Sequence, residues 1–482
     1  MVLWNSKKWL KPYYLIIAFA LLQLIIAVFT HSLSFTQEEA MWQYIGRNWI
    51  SNNMPPYSGG VDNKSPLIFY IFGISDWLFG NNIWFPRLLG TIVQSIGIWY
   101  LYKIVLRLVG YNAALFSIII YGFSLTWVIT GGRYVSFTET YAVAFMIMAF
   151  YYALCFEKTS YFFLCGAMVA ASVCFRVTGV FGCFVLCIFL VRKNYKILLP
   201  FLLGVASIII LFFAWLYFEK ISIKDFIFYG FTDNFGKGSV TAIPFSLQFN
   251  NFIEAFILSP LLLFYPFVFY FILKIKKPSI LLTWLVLEFI GIMLLGIIAR
   301  NHLKHILPVL SAISGISIAA LSAKNALQLK WVYVFIVFAS FPKTLEPLYG
   351  IKNILFPPKN KSDLFCTTLL QPDAYQLKQL GFWIKDSLQP TDRVFIAGMG
   401  AQIQVYSETI SPTIYFNVTQ TRSAKERLYA DFSKTKPQFI FIPTFPEYQT
   451  ISTDLRFFID SIVKKEYLYI KCKYGYEIYN RK

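Results

Sequence analysis

Long apolar segments recur through the first 350 residues, and they constrain the fold more than any other feature of the sequence. A helix needs about 20 mainly apolar residues to cross a bilayer. This length predicts eleven spans, near residues 13–30, 85–106, 112–130, 139–156, 160–176, 178–191, 197–218, 256–273, 279–298, 305–322 and 331–348. The apolar segment 66–80 is shorter and contains Asp76, so we expect an interfacial helix along the membrane surface.

The composition agrees with a polytopic α-helical membrane protein. Of the 482 residues, 57% are hydrophobic and 14% are charged, whereas roughly 25% are charged in an average soluble domain. The 43 basic and 24 acidic residues give a net charge of +19, but the basic residues lie between hydrophobic segments. This placement argues against nucleic-acid binding. It indicates instead that the basic residues set the membrane topology and bind an anionic substrate or membrane lipid.

Lysine and arginine residues indicate how the spans are oriented. The N-terminal segment and every second connection between the predicted spans together hold fourteen basic side chains and a single acid, Glu157. We therefore place these connections and the N-terminus in the cytoplasm. Ten of the twelve acids in the first 349 residues fall in or beside the opposite connections, so chemistry is expected on the outer face. An odd number of spans also places everything after about residue 350 outside.

The composition changes near residue 350, where we place a domain boundary. Residues 1–349 form the predicted transmembrane domain, with a first outer loop at 31–84 and a large outer loop at 219–255. Residues 350–482 lack a span-length apolar run and hold 18 basic and 12 acidic side chains. Short apolar stretches at 393–397, 414–416, 439–442 and 467–470 alternate with turn signals and with helix-like stretches at 374–387 and 453–464. This alternation predicts a small extracytoplasmic α/β domain.

Five of the seven cysteines lie in apolar segments and are predicted to be small core residues. The other two, Cys366 and Cys472, lie in the polar C-terminal part and could pair in an oxidising compartment, although sequence does not give their distance. The cysteine and histidine spacing implies no metal site. A divalent ion recruited by Glu38, Glu39 and Asp62 stays an open alternative.

The first outer loop holds two adjacent carboxylates, Glu38 and Glu39, soon after the first span. Charges there are costly unless they are solvated or used, and a carboxylate beside a water-filled cleft can take a proton from an acceptor hydroxyl. The alternative is a solvated pair at a helix N-terminus. Asp62 and Lys64 follow in the same loop. A lysine is a compact cation that suits a phosphate, and the alternative is an ammonium that reaches the lipid headgroups.

Further cations lie in the other outer connections. Arg133 is placed to bind phosphate, with Glu139 holding a sugar or orienting the arginine, unless the two form a plain salt bridge. Arg176 lies at the turn between two short spans, where a lone arginine needs an anionic partner or water. Four more cationic or titratable side chains lie within six residues at the outer end of a later span: Arg300, His302, Lys304 and His305. Basic residues are not favoured on the outer side for topology, so this cluster indicates either a bound anion or an interfacial anchor.

Together these residues supply cations for a phosphate leaving group and carboxylates for an acceptor hydroxyl. They predict transfer of a group from a membrane-borne phosphate ester. A transporter or flippase of an anionic lipid-linked substrate would show similar cations. A polysaccharide polymerase or ligase would also share the basic outer loops. These alternatives stay open at this point.

Four short motifs occur in order over about residues 1–325. They are Glu38-Glu39-Ala40, Asp62-Asn63-Lys64-Ser65-Pro66-Leu67, Gly80 with Pro86-Arg87-Leu88-Leu89-Gly90, and His305-Ile306-Leu307-Pro308. The combination resembles the GT-C glycosyltransferases, in particular the bacterial protein O-mannosyltransferase and aminoarabinose transferase group. The resemblance implies a GT-C-like fold with about 11 transmembrane helices in the bacterial inner membrane. The N-terminus would be cytoplasmic and the C-terminal domain periplasmic or extracellular.

The resemblance also implies an enzyme. It would take a sugar from a polyprenyl-phosphate donor, without a nucleotide or other cofactor, and transfer it with inversion to a hydroxyl of a glycan, lipid or protein. Glu38 or Glu39 would be the base. The lipid phosphate would be held by Lys64, Arg133, Arg176, Arg300 and Lys304, and the sugar or acceptor by Asp62, Glu139, His302 and His305. The outer loop 219–255 would cover the cleft.

Overall fold

The computed structural model describes residues 11–29, 34–127, 134–232, 245–257, 259–275, 279–294, 300–323, 355–356, 365–366, 371–389, 392–418 and 424–482. Its contacts divide the chain into two compact units. The first comprises Met1–Thr30, Arg87–Phe212 and Ile243–Tyr349, and the second comprises His31–Pro86, Phe213–Ala242 and Gly350–Lys482. The contacts therefore group the predicted first outer loop, 31–84, with the residues after 350.

Helices make up most of the described structure. In chain order they are α1 (Pro12–Phe29), α2 (Gln37–Ile50), α3 (Pro66–Phe79), α4 (Trp84–Leu108), α5 (Tyr111–Ser124), α6 (Thr138–Cys155), α7 (Thr159–Phe175), α8 (Gly179–Asn194), α9 (Leu198–Phe218), α10 (Ile223–Ile227), α11 (Phe245–Phe252), α12 (Tyr265–Lys274), α13 (Ser279–Leu294), α14 (Leu307–Ser322), α15 (Ala374–Ser387), α16 (Ala401–Ser407), α17 (Ala424–Lys434) and α18 (Thr453–Glu466). Short 3₁₀ or π segments lie at Tyr195–Ile197, Phe228–Thr232, Ile253–Ile257, Pro260–Phe264, Arg300–His305 and Pro446–Thr450.

Three helical runs in the described residues are long and apolar enough to cross a membrane. They are α4, α6 and the 40-residue run Gly179–Phe218, which contains α8 and α9. A fourth is added if Phe249–Ile257 and Pro260–Lys274, bent by 48°, form one broken span. Only 17% of the most apolar window of the 40-residue run is buried, as expected for a helix that faces lipid.

Shorter apolar helices account for the remaining segments that the structure describes. Helices α1, α5, α7, α13 and α14 lie at predicted spans, and α3 lies at the predicted interfacial helix 66–80. Each of these helices has fewer than the about 20 residues that cross the full hydrocarbon thickness, so its flanking turns would have to complete a span. The predicted span 331–348 lies outside the described residues. The total of eleven spans therefore stays a prediction.

Stacked aromatic rings and close helix contacts hold the first unit together. The rings of Phe150 on α6 and Trp284 on α13 stack with their centroids 3.8 Å apart. Helices α7 and α9 approach through glycines, since a Cβ atom added at Gly166 would lie 1.9 Å from the Phe201 carbonyl oxygen. Small residues at such contacts are typical of membrane proteins, in which close packing, rather than hydrophobic exclusion, drives helix association.

The second unit contains a four-stranded sheet with the strand order β1-β2-β4-β3. The strands are β1 (Val394–Ile396), β2 (Phe439–Pro443), β3 (Tyr467–Lys473) and β4 (Tyr476–Arg481). Strands β1 and β2 pair in parallel, whereas β4 pairs antiparallel with both β2 and β3. The predicted stretch 414–416 is not a strand of this sheet, and its Ile414 carbonyl accepts a hydrogen bond from the Val61 amide at 3.2 Å.

A disulfide links Cys366 to Cys472 on β3, with the two Cα atoms 6.0 Å apart. The pairing that sequence left open is therefore present in the structure. Disulfides persist in oxidising compartments and are rare where thiols are kept reduced. The bond joins the region before α15 to the sheet, so it stabilises the C-terminal part of the second unit.

Candidate functional site

Helix α2 carries both predicted carboxylates in its first turn, and its start is capped. The Thr36 hydroxyl accepts a hydrogen bond from the Glu39 amide at 3.1 Å. The Glu39 carboxylate in turn accepts one from the Thr36 amide at 2.9 Å. This reciprocal arrangement satisfies two backbone donors that a helix start leaves unpaired. Because Glu39 is fully buried, its side chain serves the helix start.

Glu38 directly precedes Glu39 in the sequence, but its side chain is only half-buried. Burial raises the pKa of the Glu38 carboxyl, the positive charge of Lys64 opposes this rise, and the charges of Asp62 and Glu39 add to it. The structure therefore brings the charges of Glu38, Asp62 and Lys64 into one electrostatic neighbourhood. A carboxylate with a raised pKa and partial access to solvent is suited to accept a proton.

Asp62 and Lys64 are held differently. Asp62 is buried, and its carboxylate accepts hydrogen bonds from the Trp42 indole at 2.9 Å and from the Asn63 amide at 2.8 Å. The bond from Trp42 ties this loop to α2 one turn beyond Glu38. Lys64 is half-buried, and its ammonium contacts the Asn63 side-chain oxygen. An ammonium has three donors, so this contact leaves capacity for an anionic oxygen.

Helices α2 and α3 are locked together by a buried ion pair and two glycines. The Arg47 Nε atom lies 3.1 Å from the Asp76 carboxylate, which also accepts a hydrogen bond from Gln43 at 2.6 Å. A Cβ atom added at Gly46 would lie 2.4 Å from the Gly73 amide nitrogen, so the two backbones approach closely. Asp76, the acid that marked the predicted interfacial helix, is thus a partner of α2. This rigid pair supports the position of the α2 first turn.

A second cluster lies in the first unit and is centred on Glu139, which is fully buried. The Arg176 Nη1 atom lies 2.7 Å from the Glu139 carboxylate. His302 Nε2 lies 4.0 Å from it, the Asn301 side-chain amide donates to it, and Thr138 donates at 3.0 Å. Three chain segments therefore converge on one carboxylate. The cluster brings together predicted site residues from separate outer connections.

Lys304 and His305 extend this cluster. Lys304 is buried, and its ammonium donates to the Tyr134 carbonyl at 2.7 Å and to the Thr140 hydroxyl at 3.1 Å. Burial lowers the pKa of Lys304 to about 8, and the nearby charge of Glu139 opposes this fall. His305 Nε2 lies 3.1 Å from the Thr178 hydroxyl. A small, mainly apolar cavity beside Lys304 lies between α4, α5 and α6, and its polar lining residues are Gln94, Tyr121 and Thr140.

Two predicted phosphate ligands cannot be compared with this geometry. Arg133 lies outside the described residues, and of Arg300 only the backbone is described, at the start of the 3₁₀ segment Arg300–His305. Asn301, in contrast, was not among the predicted site residues. The sequence signal was its place between Arg300 and His302, but an amide carries no charge and so gives no sign of a buried carboxylate partner.

Among the residues that the structure describes, no group of three or more His, Cys, Asp or Glu side chains is arranged to hold a metal ion. The two carboxylates nearest Glu38 are engaged elsewhere, Glu39 in the helix cap and Asp62 with Trp42. The candidate site is therefore best described by its carboxylate, ammonium and guanidinium groups.

Comparison with known proteins identifies the fold. The family described as dolichyl-phosphate-mannose-protein mannosyltransferase matches residues 63–218. No curated protein sequence matches the chain. The structure is similar to that of ArnT from Cupriavidus metallidurans bound to undecaprenyl phosphate, with a TM-score of 0.64, 13% sequence identity and 97% of each chain covered. The structure therefore has the GT-C fold of ArnT.

The GT-C fold extends to a more distant structure. The archaeal oligosaccharyltransferase AglB from Archaeoglobus fulgidus, in complex with an inhibitory peptide and a dolichol-phosphate, has a TM-score of 0.54 and 11% identity, with 92% of this chain and 70% of AglB covered. The resemblance to GT-C enzymes drawn from the sequence motifs is therefore confirmed. The fold also agrees with a membrane location for this chain. The family match includes Lys64, Glu139 and Arg176, and it begins after Glu38.

Proposed function

We propose that this chain is a glycosyltransferase that moves a sugar from a polyprenyl-phosphate donor to a hydroxyl acceptor on the outer face of the membrane, with inversion. The match to a mannosyltransferase family and the GT-C fold support the reaction class. The ArnT and AglB structures contain undecaprenyl phosphate and a dolichol-phosphate, which supports the donor class. The acceptor is a hydroxyl of a glycan, a lipid or a protein.

The observation that carries this proposal is the charge environment of Glu38. In the proposed step, Glu38 takes the proton of the acceptor hydroxyl while the acceptor oxygen forms a bond to the anomeric carbon of the sugar. The bond from that carbon to the phosphate oxygen breaks on the opposite face, which inverts the configuration, and polyprenyl phosphate leaves with the electron pair. We assign Lys64, whose charge acts on Glu38, to bind a phosphate oxygen as negative charge develops on it.

Among the described first-unit residues, Arg176 is well suited to an anionic ligand. Its Nη1 atom is paired with Glu139, but its buried Nε atom has no hydrogen-bond partner among the described residues. A buried donor without a partner is costly, and a phosphate oxygen would satisfy it. We assign Arg176 and Lys304 to lipid-phosphate binding, with Arg133 and Arg300 as further candidates. Glu139, His302 and His305 orient these cations and contact the sugar.

The outer location is part of the proposal and has two supports. The connections rich in lysine and arginine alternate along the sequence with those that hold most of the acids, and the positive-inside rule places the basic connections in the cytoplasm. The disulfide between Cys366 and Cys472 suits an oxidising compartment rather than the cytosol. We therefore place the C-terminal part on the periplasmic or extracellular side of a bacterial inner membrane.

The test uses the full chain in detergent with radiolabelled undecaprenyl-phosphate mannose and undecaprenyl-phosphate aminoarabinose as donor probes, and a membrane extract as acceptor. Release of free undecaprenyl phosphate is the readout. Glu38→Gln should lower the rate by about 10²–10⁴-fold, the usual contribution of a positioned base. Glu408→Gln is the matched control, since Glu408 is an exposed carboxylate paired with Lys385 at 2.7 Å. A wild-type rate in Glu38→Gln would remove this base assignment. Unchanged donor that crosses the bilayer of a vesicle would instead favour a transporter or flippase.

A further inference from the structure

The segment that leads into α2 is held by side chains from α16, far along the chain. The Phe35 amide donates a hydrogen bond to the Tyr406 hydroxyl at 2.9 Å. The Phe35 carbonyl accepts one from the Gln402 side-chain amide at 2.6 Å. Residues 402 and 406 are one helical turn apart and lie on the same face of α16. Both backbone polar groups of a residue just before Glu38 are thereby fixed by one buried helix.

A second set of contacts lies on both sides of Glu38. The Gln37 side-chain amide donates to the Asn417 oxygen at 3.0 Å. The Asn417 amide nitrogen lies 3.0 Å from the Met41 sulfur. Asn417 is 3% exposed, so one buried amide reaches both the residue before Glu38 and the residue one turn after it.

An anchor for the helix as a whole already exists further along α2. The rings of Tyr44 and Phe416 stack with their centroids 4.0 Å apart, and the Tyr44 hydroxyl accepts a hydrogen bond from the Ser411 amide at 2.9 Å. The bonds from Gln402, Tyr406 and Asn417 are additional, and they are directed at the first turn. That turn sets the direction in which the Glu38 side chain leaves the backbone.

We propose that Gln402, Tyr406 and Asn417 are positioning residues for Glu38, so that the C-terminal part of the chain orients the general base. This inference rests on the proposed function. A base must be held to within about 0.5 Å of its working position, and a misplacement of about 1 Å can lower a rate by about 10²-fold. Hydrogen bonds to the Phe35 backbone before the base, and contacts of Asn417 with the Gln37 and Met41 side chains on either side of it, supply this precision, because hydrogen bonds fix direction as well as distance.

The test compares two conservative variants of buried tyrosines in the second unit. Tyr406→Phe removes the acceptor for the Phe35 amide. Tyr467→Phe is the matched control, because it removes a similar buried bond, from the Tyr467 hydroxyl to the Pro437 carbonyl at 2.7 Å, that does not reach α2. Tyr406→Phe should lower kcat by about 10–100-fold with little change in KM for undecaprenyl-phosphate mannose. Tyr467→Phe should change neither constant.

The pH profile gives a readout that a purely structural role would not move. Burial raises the pKa of Glu38, and the charged groups that act on it are Lys64, Asp62 and Glu39. When Tyr406→Phe loosens the first turn, the carboxyl gains water and its pKa falls, so the acid limb of kcat should move to lower pH. Gln402→Ala and Asn417→Ala should shift the limb in the same direction. An unchanged kcat and limb in Tyr406→Phe, or equal losses in Tyr467→Phe, would overturn the inference.

Hydrogen exchange separates this inference from the proposed function. Amides 37–41 should exchange faster in Tyr406→Phe than in the wild type, and at the wild-type rate in Tyr467→Phe. If the wild type transfers no sugar from either donor probe, the proposed function fails, and the exchange data alone decide whether α16 holds the first turn of α2. Unchanged exchange in Tyr406→Phe overturns the positioning role in either case.

Discussion

The Arg176 Nη1 atom lies 2.7 Å from the Glu139 carboxylate, and both side chains are buried or nearly so. Arg176 follows α7 and Glu139 lies in the first turn of α6. The guanidinium also lies 3.3 Å from the Thr138 hydroxyl. A buried pair of this kind is costly to form but much more costly to break by removing one partner, because the other charge is then left uncompensated.

The first prediction follows from this pair. Glu139→Leu should lower the free energy of unfolding by about 3–5 kcal/mol, because Arg176 loses its anionic partner in a buried site. The double variant Glu139→Leu with Arg176→Leu should be less destabilised than the sum of the two single variants. Denaturant titration of the full chain in detergent measures all three. Strict additivity would mean that the two side chains do not interact in solution.

The second prediction concerns the pH dependence of transfer. Because burial raises the pKa of Glu38, the acid limb of kcat/KM should lie at a higher pH than that of an unperturbed glutamate. The base is active only when deprotonated, so a higher pKa moves the limb to higher pH. Lys64→Met removes a charge that lowers this pKa and should move the limb further up, whereas Asp62→Asn should move it down. Shifts of the same sign in both variants would contradict the assignment of Glu38.

The third prediction concerns stability at alkaline pH. Burial lowers the pKa of Lys304 from its usual 10.5 to about 8. Between these values the unfolded chain binds the proton that the folded chain has lost, so this group makes the free energy of unfolding rise with pH over that window. Below about pH 8 both states are protonated and the slope vanishes. The rise should be present in the wild type and absent in Lys304→Met, as measured by denaturant titration at pH 7 to 10.

The fourth prediction tests the disulfide. Cys366 and Cys472 are separated by 106 residues, and opening a loop of that length should lower the free energy of unfolding by about 2–5 kcal/mol. Cys472→Ser should show this loss, and a reductant should reproduce it in the wild type. Cys155→Ser is a suitable control, because Cys155 is a free thiol at the end of α6. Alkylation of both C-terminal cysteines without a reductant would show that they do not pair in the cell.

The helical segments of the first unit were accessible from sequence because each depends on its own composition. The predicted span 85–106 corresponds to α4 at Trp84–Leu108, and 139–156 corresponds to α6 at Thr138–Cys155. The apolar run is the local cause of both. The stretch 414–416 has the same strand-like composition as its neighbours, but its Ile414 carbonyl bonds to the Val61 amide. A partner so distant in the chain leaves no sign in a local pattern.

In the candidate site, too, the sequence predicted the residue types and only the structure showed their surroundings. The sequence named both Glu38 and Glu39 as candidates for the base, because the GT-C resemblance places the base at this pair of carboxylates. The structure separates them, since Glu39 completes the helix cap with Thr36 while Glu38 faces the charges of Lys64 and Asp62. Which of two neighbours is free depends on the side-chain direction within one helical turn, and adjacent helical residues point about 100° apart.

By itself the sequence determined that the chain is a helical membrane protein with a more polar C-terminal part, and its motifs indicated the GT-C relationship. Apolar length and charge distribution are additive properties of a segment, so they can be counted without a structure. Only the tertiary structure decided that Arg176 and Asn301 contact Glu139, and that Tyr406 and Asn417 hold the start of α2. Those contacts join residues far apart in the chain, and buried polar groups select such partners through the high cost of remaining unpaired.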